Sequence, residues 1–328
     1  MIIVFKVRPL RPIIIYNGRY YKEKMNPIRK IIKDFYIRWH ERVVHHLESK
    51  TDNYLWNIWS WCQNETMLRQ GVIKDTPDYK YYSQLHRILD IKKLAGNYHL
   101  ARIGKKGDGG YYMAENEKGA YSDSDCLIAY SLGIADDVSW DLFMAEKGYN
   151  VFQYDGCIKQ IPVNHPSFHW ERINITGDVE SKTQKRLTTL LKQNGHSDLR
   201  GMILKCDIEG SEWGMLNEME ESQLDCFDQV LLELHSLVYS QKREAILSAL
   251  EKLSHTHSLV YLHANNNGIV NYTDKMVTPD LIEGTFVNKK FFETQELDAV
   301  LPLRTDDRNL SGKQDILVGR WNIREGEF

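Results

Sequence analysis

Residues 201–212 read Gly201-Met202-Ile203-Leu204-Lys205-Cys206-Asp207-Ile208-Glu209-Gly210-Ser211-Glu212. A short, nearly continuous apolar run bounded by glycine is typical of a strand that helices cover on both faces of a parallel sheet. The acids that follow the run then lie at the carboxyl end of the strand, where open α/β sheets bind their ligands. We therefore predict that Asp207 and Glu209 belong to a functional site. Glu212 is equally well explained as an acid that favours the first turn of the next helix.

From residue 97 onward the chain alternates between predicted strands and helices. Further strands are expected at residues 98–104, 126–134, 150–155, 168–174, 228–235, 258–263 and 281–289. One helix is expected after the strand at residues 126–134 and ends at about Gly148. Further helices are expected at residues 182–193 and 241–253. Such alternation specifies a doubly wound sheet with right-handed crossovers. The predicted fold class is therefore α/β, with a doubly wound, Rossmann-like domain at residues 97–328.

Residues 1–96 are predicted to form an N-terminal helical extension, which would serve as an acceptor-binding or lid region. Apolar side chains recur at helical spacing from Ile28 to Leu47, and basic side chains fill the opposite face. A solvated charged face is the ordinary explanation, and peripheral contact of this basic helix (28–47) with an anionic membrane surface is the alternative. Two further helices are expected at Tyr54–Arg69, which is rich in tryptophan, and at Tyr79–Leu94.

The overall charge gives no sign of a nucleic-acid-binding protein. The 328 residues include 42 Lys and Arg against 45 Asp and Glu, a formal charge of −3. Five cysteines, an odd number without a CxxC pair, fit neither a disulfide framework nor a zinc ribbon, so a reducing, cytoplasmic setting is expected. Lys6, Arg8 and Arg11 interrupt the apolar opening residues, and we expect no membrane-spanning segment.

The turn Ser131-Leu132-Gly133 follows a predicted strand, at the place where a doubly wound sheet approaches a nucleotide. It lacks the GxGxxG pattern, and Asp136 and Asp137 would repel phosphate. Asp155 ends the next strand, a position from which a carboxylate accepts hydrogen bonds from ribose hydroxyls. A cationic nucleoside without phosphate therefore suits this turn, and S-adenosylmethionine is such a compound.

Several segments also carry a family resemblance, and they occur in this order: Asp108-Gly109-Gly110-Tyr111, Tyr130-Ser131-Leu132-Gly133-Ile134, Phe152-Gln153-Tyr154-Asp155, Leu204 to Trp213, and His263-Ala264-Asn265-Asn266. Together they resemble FkbM-type and related methyltransferase-like class I methyltransferases, over roughly residues 98–290. The resemblance implies a class I methyltransferase sheet with S-adenosylmethionine as the donor. It also implies O-methylation, often of a sugar hydroxyl in a glycan, glycolipid or nucleotide sugar.

The resemblance further implies roles for individual residues at the donor site. Ser131 and Gly133 would line the donor, Asp155 would hold its ribose, and Asp108 and Gly110 would face its methionine end. Asn174, an amide that ends a predicted strand, is a further candidate for donor binding.

Methyl transfer requires an acceptor oxygen in line with the methyl group and a group that removes the proton from that oxygen. Side chains suited to this task follow the carboxyl ends of predicted strands: Asp207, Glu209, Glu233, His235 and His263. His235 or His263 is the preferred base, because neutral imidazole is available near pH 7. The predicted catalytic residues are Asp207, Glu209, His235 and His263.

The same acids and imidazoles suit Mg²⁺, Mn²⁺ or Zn²⁺. If a metal is required, Asp207, Glu209 and His235 are its predicted ligands, and the ion would lower the pKa of a bound sugar hydroxyl. Two other function classes remain open at this point. One is a metal-dependent hydrolase built on Asp207, Glu209 and His235, and the other is a non-catalytic module that binds a glycan or a membrane surface.

Overall fold

The computed structural model describes residues 77–122, 124–273, 276–297, 300–302 and 308–322. The helices predicted over Ile28–Leu47 and Tyr54–Arg69 lie outside the described residues. Within the described part of the chain, no helix has both the length and the apolar character that crossing a bilayer requires. The four cysteines of this part, at positions 126, 157, 206 and 226, are free thiols.

The described helices are α1 (Pro77–Ile88), α2 (Ser139–Glu146), α3 (Leu187–Gln193), α4 (Glu212–Glu218), α5 (Glu221–Leu224) and α6 (Arg243–Thr256), and a 3-10 turn, Ser240–Lys242, precedes α6. The described strands are β1 (Lys92–Leu94), β2 (Tyr98–Ile103), β3 (Tyr111–Asn116), β4 (Ile128–Leu132), β5 (Asn150–Tyr154), β6 (Phe168–Glu171), β7 (Asn174–Ile175), β8 (Gln184–Lys185), β9 (Met202–Cys206), β10 (Phe227–Leu234), β11 (His257–Ala264), β12 (Val270–Thr273), β13 (Met276–Pro279), β14 (Ile282–Asn288), β15 (Thr294–Glu296), β16 (Val300–Leu301) and β17 (Gly319–Arg320).

Seven strands form the central sheet, in the order β11-β14-β10-β9-β4-β5-β6. Neighbouring strands from β10 to β6 run parallel, and β14 is antiparallel to both β10 and β11. The predicted α/β class with a mostly parallel sheet is confirmed. From β4 the chain first proceeds outward to β5 and β6 and later continues on the other side with β9 and β10. The switch point of the sheet, where such folds bind ligands, is therefore at the carboxyl ends of β4 and β9.

The two faces of the sheet are covered by different elements. On one face, Leu204 of β9 belongs to a core that includes Leu85 of α1 and Leu250 of α6. On the other face, the adjacent Ile203 packs with Trp140 of α2 and with the β2–β3 hairpin. Because alternate side chains of β9 enter different cores, the strand is apolar along most of its length.

Three predicted elements have different bounds in the structure. The helix predicted over residues 182–193 begins at Leu187, because Gln184 and Lys185 form β8. The helix predicted over Tyr79–Leu94 ends at Ile88, and β1 pairs antiparallel with β15 instead of continuing the helix. The strand predicted over residues 168–174 is divided, because β6 joins the central sheet whereas β7 pairs with β8. All three differences depend on strand pairing, which local apolar periodicity does not contain.

Candidate functional site

A cavity of about 540 Å³ opens at the switch point, bordered by the ends of β4, β5 and β9 and by the turn of the β2–β3 hairpin. We call it the Asp155 cavity. The sequence-predicted site residues that border it are Asp108, Gly133, Asp155, Asn174, Asp207 and Glu209. Parallel strands bring their carboxyl ends to one edge, so residues from distant parts of the chain meet here.

The turn after β4 depends on Gly133. Its φ of 72° lies in the left-handed region, and a Cβ at this position would lie 1.6 Å from the Asp207 carbonyl oxygen. Lys205 Nζ donates to the Gly133 carbonyl at 2.9 Å, and the Gly133 N–H donates to the Tyr154 carbonyl at 3.0 Å. Glycine therefore lets the ends of β4 and β9 approach closely at the cavity.

The carboxylate of Asp155 joins the two loops that follow β4 and β5. Its Oδ2 accepts the N–H groups of Ile134 and Ala135, both at 2.9 Å, and its Oδ1 accepts those of Cys157 at 2.7 Å and Ile158 at 3.3 Å. Burial raises the pKa of Asp155, but these four hydrogen bonds outweigh burial and hold the pKa below its ordinary value. Asp155 is thus a charged anchor of the cavity wall, with both of its oxygens engaged by backbone.

Three other predicted donor-site residues have different surroundings. Asn174 borders the Asp155 cavity, where its Oδ1 accepts the Gly156 N–H at 3.0 Å. Ser131 is fully buried within β4 and does not border the cavity. Gly110 does not border it either, and a Cβ on Gly110 would lie 2.1 Å from the Lys105 carbonyl oxygen, so the hairpin turn itself requires this glycine. The structure therefore separates Ser131 and Gly110 from the cavity residues.

A histidine surrounded by carboxylates lies beside the Asp155 cavity. His235 Nε2 is 3.8 Å from Asp207 Oδ1, 3.6 Å from Glu233 Oε2 and 3.4 Å from Glu209 Oε2. One ligand atom from each of Asp207, Glu233 and His235 lies within 4.8 Å of the others, so these three residues could hold a metal ion. The predicted ligands Asp207, Glu209 and His235 are brought together, but the buried third carboxylate is Glu233, because the Glu209 side chain is 88% exposed.

Glu212 fixes the orientation of His235. It is the first residue of α4 and fully buried, and its Oε1 accepts the His235 backbone N–H at 2.8 Å and the Nδ1–H at 3.2 Å. An ionised carboxylate only accepts hydrogen bonds, so Nδ1 carries the proton and Nε2 faces the other acids. Burial lowers the pKa of His235, but hydrogen bonding to Glu212 and the charges of Glu212, Asp207 and Glu209 raise it above its ordinary value.

The second predicted base, His263, is not part of this cluster. It lies on β11, two strands from β10, and pairs in register with Glu283, which in turn pairs with Glu233. His263 is 1% exposed, and its Nε2 is 3.7 Å from Asp315 Oδ1. A histidine enclosed in this way is poorly placed to take a proton from a substrate, so the structure favours His235 over His263.

A second group of carboxylates adjoins the first. Asp108, Glu233 and Glu283 bring their oxygens within 4.8 Å of one another, so Glu233 belongs to both groups. Burial raises the pKa of Glu283 to about 7, and burial together with Asp207 raises that of Glu233 well above its ordinary range. Burial thus favours the protonated forms of Glu233 and Glu283, and a cation beside them would favour their ionised forms.

A second cavity, of about 490 Å³, is bordered by His235. We call it the Tyr239 cavity, and its lining includes Glu209, His235 and the half-exposed ring of Tyr239. Glu209 borders both cavities. Glu209 and Ser236 have positive φ values of 54° and 65°, which is unusual for residues other than glycine and is found at functional sites.

Lys205 and Tyr111 lie at the site although the sequence did not single them out, and Glu212, which was explained as an acid of the first helical turn, contacts His235. Lys205 is 4% exposed, and its ammonium lies 5.2 Å from the centre of the Tyr111 ring. The Tyr111 hydroxyl donates to Asp207 Oδ2 at 3.4 Å. A lysine inside an otherwise apolar strand was the signal available in the sequence for Lys205.

We call the group formed by Asp207, Glu209, Glu233 and His235 the acid–histidine cluster. Fold and site together define a Rossmann-like α/β protein whose switch-point cavity adjoins this cluster. Comparison with known protein families, curated proteins and solved structures finds no match for the chain.

Proposed function

We propose that the protein is an S-adenosylmethionine-dependent O-methyltransferase that acts on a sugar hydroxyl of a glycan, glycolipid or nucleotide sugar. One observation carries the proposal. The Asp155 cavity and the Tyr239 cavity meet at Glu209 and the acid–histidine cluster, so a donor and an acceptor have separate places on either side of groups that can accept a proton.

The lining of the Asp155 cavity supports a cationic donor. Its volume is in the range of small-molecule sites. Its charged side chains are the acids Asp108, Asp136, Asp137, Asp155, Asp207 and Glu209 and the bases Lys105 and Lys205. The excess of acids disfavours phosphate groups and favours a sulfonium and an ammonium. The mostly parallel central sheet is also compatible with the Rossmann-like sheet that the resemblance implies.

The Tyr239 cavity supports a polar acceptor with an apolar face. The Tyr239 ring is 51% exposed, and flat aromatic rings stack on the faces of sugars. Gln241, Asn267 and Lys242 line the same cavity and offer hydrogen bonds to hydroxyls. Because the sulfonium is already activated, the protein has to align the acceptor oxygen and remove its proton, and the carboxylates beside His235 are placed for that step.

Calorimetric titration of the full chain with S-adenosylmethionine tests the proposal. We expect binding, and transfer of labelled methyl groups from the donor to members of a panel of glycans, glycolipids and nucleotide sugars. Tyr239→Ala should raise the KM for the acceptor and leave the donor Kd unchanged, whereas Tyr239→Phe should retain activity. A folded protein that does not bind S-adenosylmethionine would contradict the proposal.

A metal-dependent hydrolase is the second candidate, favoured by the grouping of Asp207, Glu233 and His235. Hydrolytic activity that is lost to a chelator and indifferent to S-adenosylmethionine would select it. A methyltransferase shows the opposite dependence on the donor.

A further inference from the structure

We propose that Asp207, Glu233 and His235 bind one divalent cation of the Mn²⁺ or Zn²⁺ type between the two cavities, and that this cation binds the acceptor hydroxyl. The binding of the cation is inferred from the positions of the ligand atoms alone. Its role in methyl transfer rests on the proposed function.

The spacing of the donor atoms suits a single ion. Two ligand atoms about 2.1 Å from an ion, at a tetrahedral angle, are about 3.4 Å apart. His235 Nε2 lies 3.6 Å from Glu233 Oε2 and 3.8 Å from Asp207 Oδ1, so small inward movements complete the site. One imidazole with two carboxylates is a donor set that Mn²⁺ and Zn²⁺ accept.

The three ligand atoms converge on one space beside Asp207. Asp207 Oδ1 is a buried atom that faces two other possible ligand atoms, His235 Nε2 at 3.8 Å and a carboxylate oxygen of Glu233 within 4.8 Å. A cation coordinated by these atoms would balance the negative charge that the two carboxylates concentrate there.

The surroundings of His235 are those of a metal-binding histidine. Such histidines usually donate the N–H of the nitrogen that does not bind the metal to a carboxylate, which fixes the ring. Glu212 accepts the Nδ1–H of His235 and is itself held by the Gly210 N–H at 2.8 Å. Nε2 is thereby left to face Asp207 and Glu233.

The position of the ion suggests its chemical role. Asp207 borders the Asp155 cavity and His235 borders the Tyr239 cavity, so the ion lies between donor and acceptor. Coordination lowers the pKa of the acceptor hydroxyl, and its proton passes to the exposed carboxylate of Glu209. The acceptor oxygen then forms a bond to the methyl carbon while the carbon–sulfur bond breaks, and sulfur retains the electron pair as a neutral thioether.

Metal titration of the full chain tests the site without any measurement of activity. Chelator-treated, dialysed protein is titrated with Mn²⁺ and with Zn²⁺ by calorimetry, and bound Mn²⁺ is counted by electron paramagnetic resonance. We expect one ion per chain. His235→Gln and Glu233→Gln should each weaken binding at least 100-fold. Glu212→Gln should weaken it about 10–100-fold, because an amide N–H group replaces one accepting oxygen, so either the Gly210 N–H or the two His235 donors lose their acceptor.

Glu283→Gln is the matched control, because Glu283 is a buried acid that belongs only to the second carboxylate group. It should change the metal Kd less than twofold, and circular dichroism shows that each variant is folded. The proposal is overturned if neither ion binds, if His235→Gln binds as the parent does, or if Glu283→Gln weakens binding as much as Glu233→Gln. Donor binding, measured separately on the same protein, distinguishes failure of the metal site from failure of the proposed function.

Discussion

Glu212 Oε1 lies 2.8 Å from the backbone nitrogen of His235 and 3.2 Å from its Nδ1. One buried carboxylate thus links the first residue of α4 to the carboxyl end of β10. Its other oxygen accepts the Gly210 N–H, which ties the acid-bearing loop after β9 to the same point. The geometry of the acid–histidine cluster therefore depends on the buried side chain of Glu212.

Replacement of this carboxylate should destabilise the fold. In Glu212→Ala, the Gly210 N–H and both donors of His235 lose their acceptor, and a buried unsatisfied donor costs about 1–3 kcal/mol. We expect the free energy of unfolding, measured by urea denaturation, to fall by about 3 kcal/mol or more. Glu209→Ala removes an exposed acid from the same loop and should cost less than about 0.5 kcal/mol. Equal losses in the two variants would contradict the anchoring role of Glu212.

Gly133 and Gly195 form a matched pair for the turn after β4. Both have φ values near 70°, at 72° and 75°, but a Cβ at Gly195 meets nothing within 4 Å, whereas one at Gly133 meets the Asp207 carbonyl. Gly195→Ala should cost about 1 kcal/mol of stability through its backbone conformation alone. Gly133→Ala should cost at least about 3 kcal/mol and should also weaken donor binding, because Asp207 has to move. A similar loss in both variants, by urea denaturation, would show that the close approach is unimportant.

The sequence was sufficient to predict the location of the site but not all of the contacts within it. Parallel strands share one carboxyl edge, so acids after buried strands, such as Asp155 and Asp207, were expected to lie together, and the structure places them around one cavity. The insertion of β14 between β10 and β11, which places Glu283 beside Glu233, was not predictable, because the pairing joins residues about fifty positions apart. The contact of Glu212 with His235 was not predictable for a related reason. An acid that starts a helix has the same sequence signature whether it faces water or a buried histidine.

Asp155→Asn separates the anchoring role of this carboxylate from the charge of the cavity. The amide nitrogen of Asn would face two backbone N–H groups in place of an acceptor, so we expect a loss of about 2–4 kcal/mol in the free energy of unfolding. Donor binding should weaken more than tenfold, because the loops that Asp155 joins form the cavity wall. Asp136→Asn makes the same chemical change at an exposed acid of the same cavity and should alter stability by less than about 0.5 kcal/mol. Unchanged stability in Asp155→Asn, by urea denaturation, would refute the anchoring role.

Buried histidines that border neither cavity should make stability depend on pH. His86 stacks on Trp321 with ring centres 3.8 Å apart, and Thr278 Oγ1 lies 2.9 Å from its Nε2. Burial lowers the pKa of His86 to about 4 against an ordinary value of 6.5. Between those values the unfolded chain binds a proton that the folded chain does not, so this residue lowers stability as the pH falls from 6.5 to 4, by about 3 kcal/mol in total.

The difference between the parent and His86→Gln isolates this effect from other groups, such as Glu283, whose raised pKa gives the opposite slope. Urea denaturation of both proteins at a series of pH values should show the parent losing stability relative to the variant as the pH falls through this window. His257, whose pKa burial also lowers to about 4, should behave in the same way in His257→Gln. A difference in unfolding free energy that stays constant from pH 7 to pH 4 would mean that these imidazoles take up protons in the folded state as readily as in the unfolded chain.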